Sequence, residues 1–552
     1  MPTVSAHVAH TLARHIDTVF GVMGNGNAYF LDALGRDTGS GFVAVRHEAA
    51  GVVAADAHYR ASGRLAAATA TYGAGFTNTL TALAEAVQAR TPLVLIVGDE
   101  PTSGPRPWGV DQIALASAVG ARTYTVGHSD AAATIVIAIE HALTYRLPVV
   151  LGIPYDVATR EVGPIPDADA PGAAPRVTPE HPPLGTYADA VIDQIADALA
   201  SAQRPLLLGG RGAWLAGAGA ALDEIAALAG ALTTTSALGR GLFSDRSRDL
   251  GVAGGFGAPG AMELARDADV AVVFGAGLNQ FTMRFGELFA PGTRVFQVDL
   301  AATATHPHVG GFVRGDAADV AAAIADRLRA RGATPSTWGN GLDLAAACRQ
   351  PEGQGLGPDG RLDPRTAATR LAELLPEDRV VVHDGGHFMG WSNMYWPVAS
   401  PDRMIMVGTA YQSIGLGFPS VPGAAIARPD STIVLSTGDG GGLMALADLE
   451  TAIRVARGRG IAMVWNDAQY GAEVLNYGLK GLHPDPMLIP QVDFAAVARG
   501  FGAEGVVIES VDDLEALASW ASRPAEDRSF LLLDLRVSAA IVAPFWEEIA
   551  AR

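Results

Sequence analysis

The stretch STGDGGGLMALADLETAIRVARGRGIAMVWNDAQYG, residues 436–471, places one carboxylate, Asp439, among glycines and closes a helix and a strand later on Asn466-Asp467. STIVLSTGDGG reads as a strand running into a glycine turn, and GLMALADLETAIRVA as a helix after it. Asp439 then stands at a strand's C-terminal end beside a helix N-terminus, where backbone N–H groups and the helix dipole favour an anion such as a diphosphate. A carboxylate repels a diphosphate unless a hard cation lies between them, and Mg²⁺ is held by one or two carboxylates together with phosphate oxygens. The strand GIAMVWND brings Asn466 and Asp467 to the same sheet edge. The segment therefore reads as a magnesium–diphosphate anchor.

The same alternation extends outward through the chain. RLAAATATYG, TPLVLIVGD and LPVVLGIP are short apolar runs suited to buried parallel strands, separated by Ala-rich helical segments such as FTNTLTALAEAVQA. RPLLLGG, DVAVVFGAG and RVFQVDL repeat the pattern, as do RVVVHDGG, STIVLSTGDG, GIAMVWND and SFLLLDLRV. Two proline-rich stretches, residues 162–185 and 348–364, read as linkers. The expectation is an α/β protein of three doubly wound domains, 1–165, 186–335 and 362–552, each with a mostly parallel sheet. Ligands in such sheets bind beyond the C-terminal strand ends.

Composition removes whole classes of function. At 552 residues the chain is too long for one core, and 49% hydrophobic with 18% charged residues fits a well-buried globular protein. A net charge of −19 without a basic stripe argues against nucleic acid and anionic membranes as partners. No apolar run reaches the roughly 18 residues of a membrane span, and no secretory signal precedes the first domain, so a cytoplasmic protein is expected. Cys348 is the only cysteine, which excludes an intrachain disulfide and a cysteine metal cluster. Lys480 is the only lysine; no phosphate loop ends in Gly-Lys-Ser/Thr, and Lys480 lacks neighbours that would make it a Schiff-base catalyst.

The 438–471 segment resembles the cofactor motif of thiamine-diphosphate enzymes: Gly-Asp-Gly, then, after a helix and a strand, Asn-Asn or a variant. The resemblance implies thiamine diphosphate and Mg²⁺, with Asp439, the last Asn and a carbonyl two residues on as metal ligands. The usual spacing selects Asn466. Matching Tyr470-Gly471 to the motif's end selects Asp467, with Gln469 at the carbonyl, and an extra residue in ARGRG accounts for the offset. Gly438, Gly440, Gly441, Tyr470 and Gly471 are implied to touch the cofactor. FVAVRHEAAGVVAADAHYRASG is similar to the acetolactate synthase branch and offers Glu48 as the glutamate that ionises the cofactor. In AYQSIGLGFPS, Ile414 matches the apolar residue that bends the cofactor, and the Gln412 carbonyl its hydrogen-bond acceptor. TYGAGFTN is similar to the family's Gly-Pro-Gly-x-x-Asn, with Ala74 replacing proline. HDGGHFMGW makes Gly386 and His387 candidates for the diphosphate.

The resemblance covers nearly the whole chain in the order pyrimidine domain, central domain, diphosphate domain. It also implies a homodimer or dimer of dimers, with Glu48 and the metal site facing each other across two subunits. The expected substrate is a small 2-keto acid, decarboxylated and then protonated, ligated or oxidised. The polar groups over the reacting carbon depart from each branch. Where pyruvate decarboxylases carry a His-His pair, GPRPWGVDQIA has no histidine; where benzoylformate decarboxylase uses Ser and His, Asn25 and Thr71 stand. Of the Ala-Phe-Gln-Glu run of acetolactate synthases only Gln112 survives, either orienting an acceptor carbonyl or serving as a surface loop residue. His47, Tyr72, His383 and Glu473 are further polar candidates, with a satisfied buried group as the alternative reading of each. In the central domain, GGRGAWLAGAGAAL and FGAGLNQF could hold FAD or ADP, as in some relatives, although the full dinucleotide fingerprint is missing and many relatives bind nothing there. The reading is an acetolactate-synthase-like carboligase or lyase. The alternatives are a 2-keto acid decarboxylase or acyl-CoA lyase, or a non-catalytic cofactor-binding or regulatory subunit.

Overall fold

The apolar runs become the central strands of three six-stranded sheets in a computed structural model, which describes residues 1–105, 109–178 and 184–550. Residues 106–108 of the GPRPWGVDQIA stretch, 179–183 of the first linker and the last two residues of the third piece lie outside the described residues. The first sheet contains β1 (Thr18–Gly21), β2 (Gly41–Ala44), β3 (Ala67–Ala70), β4 (Val94–Asp99), β5 (Arg122–Thr125) and β6 (Val149–Pro154), in the order β2-β1-β3-β4-β6-β5. The second contains β7 (Pro205–Gly209), β8 (Leu232–Thr235), β9 (Asp249–Val252), β10 (Val270–Phe274), β11 (Arg294–Asp299) and β12 (Val309–Arg314), in the order β12-β11-β10-β7-β8-β9. The third contains β13 (Arg379–His383), β14 (Met404–Met406), β15 (Thr432–Gly438), β16 (Gly460–Asn466), β17 (Glu504–Ile508) and β18 (Leu531–Arg536), in the order β14-β13-β15-β16-β18-β17.

Every pairing is parallel, as strands buried on both faces by helices require. Three doubly wound α/β domains are thus the architecture, and the first and third sheets share one strand order. In each, the order reverses beside the first strand, between β1 and β3 and between β13 and β15. That crevice is where such sheets bind ligands.

The first and third domains share one core. The helix Glu48–Ser62 lies on the helix Gly417–Ala427, and their closest approach is at Gly423, where a Cβ would stand 2.0 Å from the Ala54 carbonyl oxygen. Only a glycine permits that distance. The second proline-rich stretch is docked rather than free: Leu362 is fully buried and bridges to Val537, just past β18. Among the described residues no helix is long and apolar enough to cross a membrane.

Candidate active site

The crevice between β13 and β15 opens into a cleft of about 70 Å³. β15 delivers Gly438 and then Asp439, the first residue of the helix Asp439–Met444; β16 delivers Asp467 just beyond its end. One oxygen of Asp439, Oδ1, accepts from the Gly440 N–H at 2.9 Å, while Oδ2 is buried and has no partner. Burial raises its pKa to about 6, against the pull of N–H groups at Gly440, Ala468 and Gln469. Asp467 is raised further, to about 7, by burial first and by the Asp439 charge second. Ala468 between them holds a left-handed φ of +62°, local strain of the kind that accumulates at ligand sites.

The two candidate ligands from the end of β16 separate by strand parity. Asn466 points into the domain: its Nδ2 donates to Val492 O (3.0 Å) and Asp534 Oδ1 (2.8 Å), and its Oδ1 accepts from Gln491 Nε2 (2.8 Å). Side chains alternate along a strand, so Asp467 faces the cleft and Asn466 cannot. Gln469 lines the cleft and donates through Nε2 to Asp467 at 3.3 Å. Among the described residues no group of three His, Cys, Asp or Glu comes together. A cation here would have two carboxylates and complete its shell with carbonyl, phosphate and water oxygens, which suits Mg²⁺.

The rest of the cleft suits an anion walled by apolar surface. Gly385, Gly386, Gly438, Gly440, Gly441, Tyr470, Gly471 and Ile414 line it together with Trp391 and Trp465. A Cβ on Gly440 would stand 2.5 Å from the Tyr470 ring, so that glycine lets the chain pass beneath the ring. His387 is buried against Trp391, Phe545 and Trp546, and burial lowers its pKa to about 4. Its Nε2 accepts the Ala543 N–H at 2.8 Å, which assigns the proton of the neutral ring to Nδ1. Neutral His387 thus brings an N–H donor to the cleft without a charge.

Sequence reasoning missed Asp384, which organises this edge. Its Oδ1 accepts from the N–H groups of Gly385 (2.8 Å), Gly415 (2.9 Å) and Leu416 (3.3 Å), and its Oδ2 accepts from Thr437 Oγ1 (3.0 Å). Burial raises its pKa against those bonds. An acid in a glycine turn at a strand end, as at Asp439, was the available signal. Val537, Ser538 and Ile541, just past β18, also wall the cleft. The rule that found β13, β15 and β16 applies equally to that strand end.

No cleft-lining residue comes from the first domain. Glu48 opens its helix at the open edge of β1 and β3, capped by His47, and accepts from Asn78 Nδ2 at 2.9 Å. Asn25 is exposed on the same edge, and the Thr71 hydroxyl is committed to the Gly26 N–H at 2.9 Å. One expectation needs correction. Gln112 is neither a surface loop residue nor free to orient a ligand, because it is buried, accepts from Gly73 N (2.9 Å) and donates to Gly98 O (3.0 Å). It pins the Gly73 turn. His383 is enclosed in the sheet, with Nδ1 3.2 Å from Ser392 Oγ, and does not reach the cleft. Of the other candidates, Glu473 lines the cleft and is exposed, whereas Gln412 sits in an exposed turn with φ +62°.

A second cavity, about 340 Å³, lies at the reversal between β7 and β10 where the central domain meets the first, lined by Arg90 and Arg146 from the first domain and by Arg211, Gly275 and Asp299 from the central one. Arg211 Nη1 donates to Ala89 O at 2.9 Å, its Nη2 is buried without a partner, and burial lowers the guanidinium to about 10.

Comparison with known proteins agrees with this arrangement domain by domain. Residues 2–117 match the thiamine pyrophosphate enzyme N-terminal TPP binding domain, 192–325 the central domain and 384–534 the C-terminal TPP binding domain. The acetolactate synthase large subunit of Parasynechococcus marenigrum is 28% identical over 533 residues, 91% of this chain and 83% of the relative. The sulfoacetaldehyde acetyltransferase of Roseovarius nubinhibens is 28% identical over 584 residues, 99% and 94% of the two chains. The solved thiamine diphosphate-dependent 4-hydroxybenzoylformate decarboxylase of Rhodococcus jostii RHA1 superposes with a TM-score of 0.78 at 22% identity, covering 97% of this chain and 99% of that one, and so shares the fold. With thiamine-diphosphate-binding domains at both ends and the central domain between them, the chain belongs to the thiamine pyrophosphate enzymes.

Proposed function

We propose that this enzyme is a Mg²⁺-dependent carboligase or lyase acting on a small 2-keto acid, with the third-domain cleft as its diphosphate anchor. The observation that carries the anchor is Asp439 Oδ2: a buried, partnerless carboxylate oxygen near a second raised carboxylate, at a helix N-terminus. Two carboxylates there favour a bound cation, and the cation favours a diphosphate. Asp439, Asp467 and Gln469 would hold Mg²⁺; Gly386, His387, Gly438, Gly440, Gly441, Tyr470 and Gly471 would enclose the diphosphate. Bound thiamine diphosphate supplies a carbon nucleophile and an electron sink for breaking and making C–C bonds next to a carbonyl.

The protein's own contribution is placement and proton control. His387 donates from Nδ1 without adding charge, and Ile414 backs the cleft. Glu48, oriented by Asn78, would hold the proton that activates the cofactor. Since no first-domain residue lines this cleft, a second copy of the chain supplies Glu48 and Asn25. The exposed apolar side chains Met23, Phe42 and Ile113 of the first domain support such a homodimer or dimer of dimers. Sedimentation at the monomer mass under working conditions would overturn that part.

Carboligation is favoured over simple decarboxylation because Asn25 and Thr71 stand where a decarboxylase carries Ser and His, neither an amide nor an unactivated hydroxyl is an effective general acid near neutral pH, and Gln112 is held by backbone groups. The likeness to acetolactate synthases supports the same choice, and that to a sulfoacetaldehyde acetyltransferase supports acyl transfer as a second reading. Purified protein with thiamine diphosphate, Mg²⁺ and a panel of 2-keto acids should form hydroxyketone alongside CO₂. Aldehyde as the sole organic product would mark a decarboxylase instead. In the central domain, the unpartnered Arg211 Nη2 and Asp299 at the end of β11 fit a nucleotide such as ADP or FAD. The absorbance spectrum of the purified protein tests FAD.

A further inference from the structure

The turn 408–416 separates the cleft from the first domain, and two buried carboxylates from different domains hold it. Toward its end, Asp384 accepts from Gly415 and Leu416. Near its start, Glu85, on the first-domain helix Leu80–Gln88, accepts from Ala410 N at 3.4 Å through Oε1 and from Tyr411 N at 2.6 Å through Oε2. Between these staples lie Gln412, whose φ of +62° glycine adopts freely and glutamine does not, and Ile414, which lines the cleft.

Glu85 is fully buried, and its ionic surroundings do not account for it. Arg60, also buried, already has a two-point partner in Asp56, at 2.5 and 3.1 Å; its Nη1 donates to Met406 O at 2.7 Å, and only Nη2 turns to Glu85, at 3.2 Å. Asp56 is the first carboxylate on Arg60, and its charge is shared with the buried Arg211 guanidinium. A second, fully desolvated, is kept only where other donors compensate it. Its shortest bond is to the Tyr411 N–H, immediately before the strained Gln412.

Resting on the reading that the cleft takes thiamine diphosphate, we propose that Glu85 is a positioning residue that reaches across from the first domain to hold Gln412 and Ile414 in the conformation that backs the cofactor. The turn is then an adjustable wall fixed by a domain other than the one that anchors the diphosphate. Loosening it should weaken the organic part of the ligand and spare the diphosphate part.

Calorimetric titration of full-length protein with thiamine diphosphate and, separately, inorganic pyrophosphate, both with Mg²⁺, tests this. Glu85→Ala should weaken thiamine diphosphate about tenfold and pyrophosphate less than about twofold. Glu85→Gln keeps the volume and one acceptor oxygen, should lose about threefold, and carries the test if Glu85→Ala does not fold. Adding Gln412→Gly to either variant should recover at least half of the lost affinity, because glycine adopts the left-handed turn unaided. Equal weakening of both ligands, unchanged thiamine diphosphate affinity, or no recovery with Gln412→Gly overturns the inference. Wild-type protein that binds neither ligand overturns the cofactor reading, and the inference with it.

Discussion

At the reversal point of the third sheet, Asp439 and Asp467 meet in a buried cleft walled by glycine and aromatic rings; at the same point of the first sheet, Glu48, Asn78 and Asn25 stand on an open edge. The strand orders are the same, so topology supplies the place and not the chemistry. The third domain desolvates its acids, which raises them and readies them for a cation. The first leaves its glutamate to be desolvated by whatever covers the edge. On the proposed reading, one half is the diphosphate anchor and the other a face that a second copy of the chain covers.

The sharpest break of that comparison is Glu48→Gln. Turnover should fall on the order of 10³-fold while thiamine diphosphate still binds, since loss of a general acid–base group costs about 10²–10⁴; kcat and calorimetric Kd together check it. Asp439→Asn should act the other way, weakening Mg²⁺-dependent binding of thiamine diphosphate on the order of 10²-fold. Equal loss of binding from both variants would erase the distinction between anchor and face.

The acid pair also sets a pH signature. Folded-state values of about 6 and about 7 lie above the ordinary 3.8, so the unliganded protein pays no penalty below about 4 and a growing one as pH rises through 6 and 7. Mg²⁺ should remove that penalty, so the rise in Tm on adding Mg²⁺ should grow by roughly 5 °C between pH 5 and pH 8. Asp467→Asn should flatten the trend. Smaller again, Gly440→Ala pushes a methyl into the Tyr470 ring and should weaken the cofactor about tenfold without altering this pH trend. Gln112→Ala should leave the product ratio unchanged and destabilise the fold by about 1–3 kcal/mol through the Gly73 turn, as denaturant unfolding would show.

The sequence disclosed what depends on short range. The strands named beforehand are mostly the continuous apolar runs at the sheet centres; those passed over are mostly edges such as β5, with exposed ends, and β14, three residues long. The anticipated helix after Asp439 breaks at Ala445, where φ is −115° and ψ is 25°, which no residue preference there announces. Strand parity, not residue type, turns Asn466 inward and Asp467 to the cleft. Gln112 was opaque because its partner Gly73 lies 39 residues away, and so was His387, whose Ala543 partner is 156 residues off. Contacts that distant are made by the fold and leave no periodicity to read.

Asp384 gathers donors from residues 31, 32 and 53 positions away. None of those bonds forms until the loops between β13 and β15 have closed, and closing such loops costs entropy before any contact repays it. The crevice consequently forms with the tertiary fold of the domain and not with its strands and helices one by one. A chain can hold most of its secondary structure and still lack this crevice, so a ligand that needs the crevice reports on tertiary closure of the third domain and not on its helices and strands.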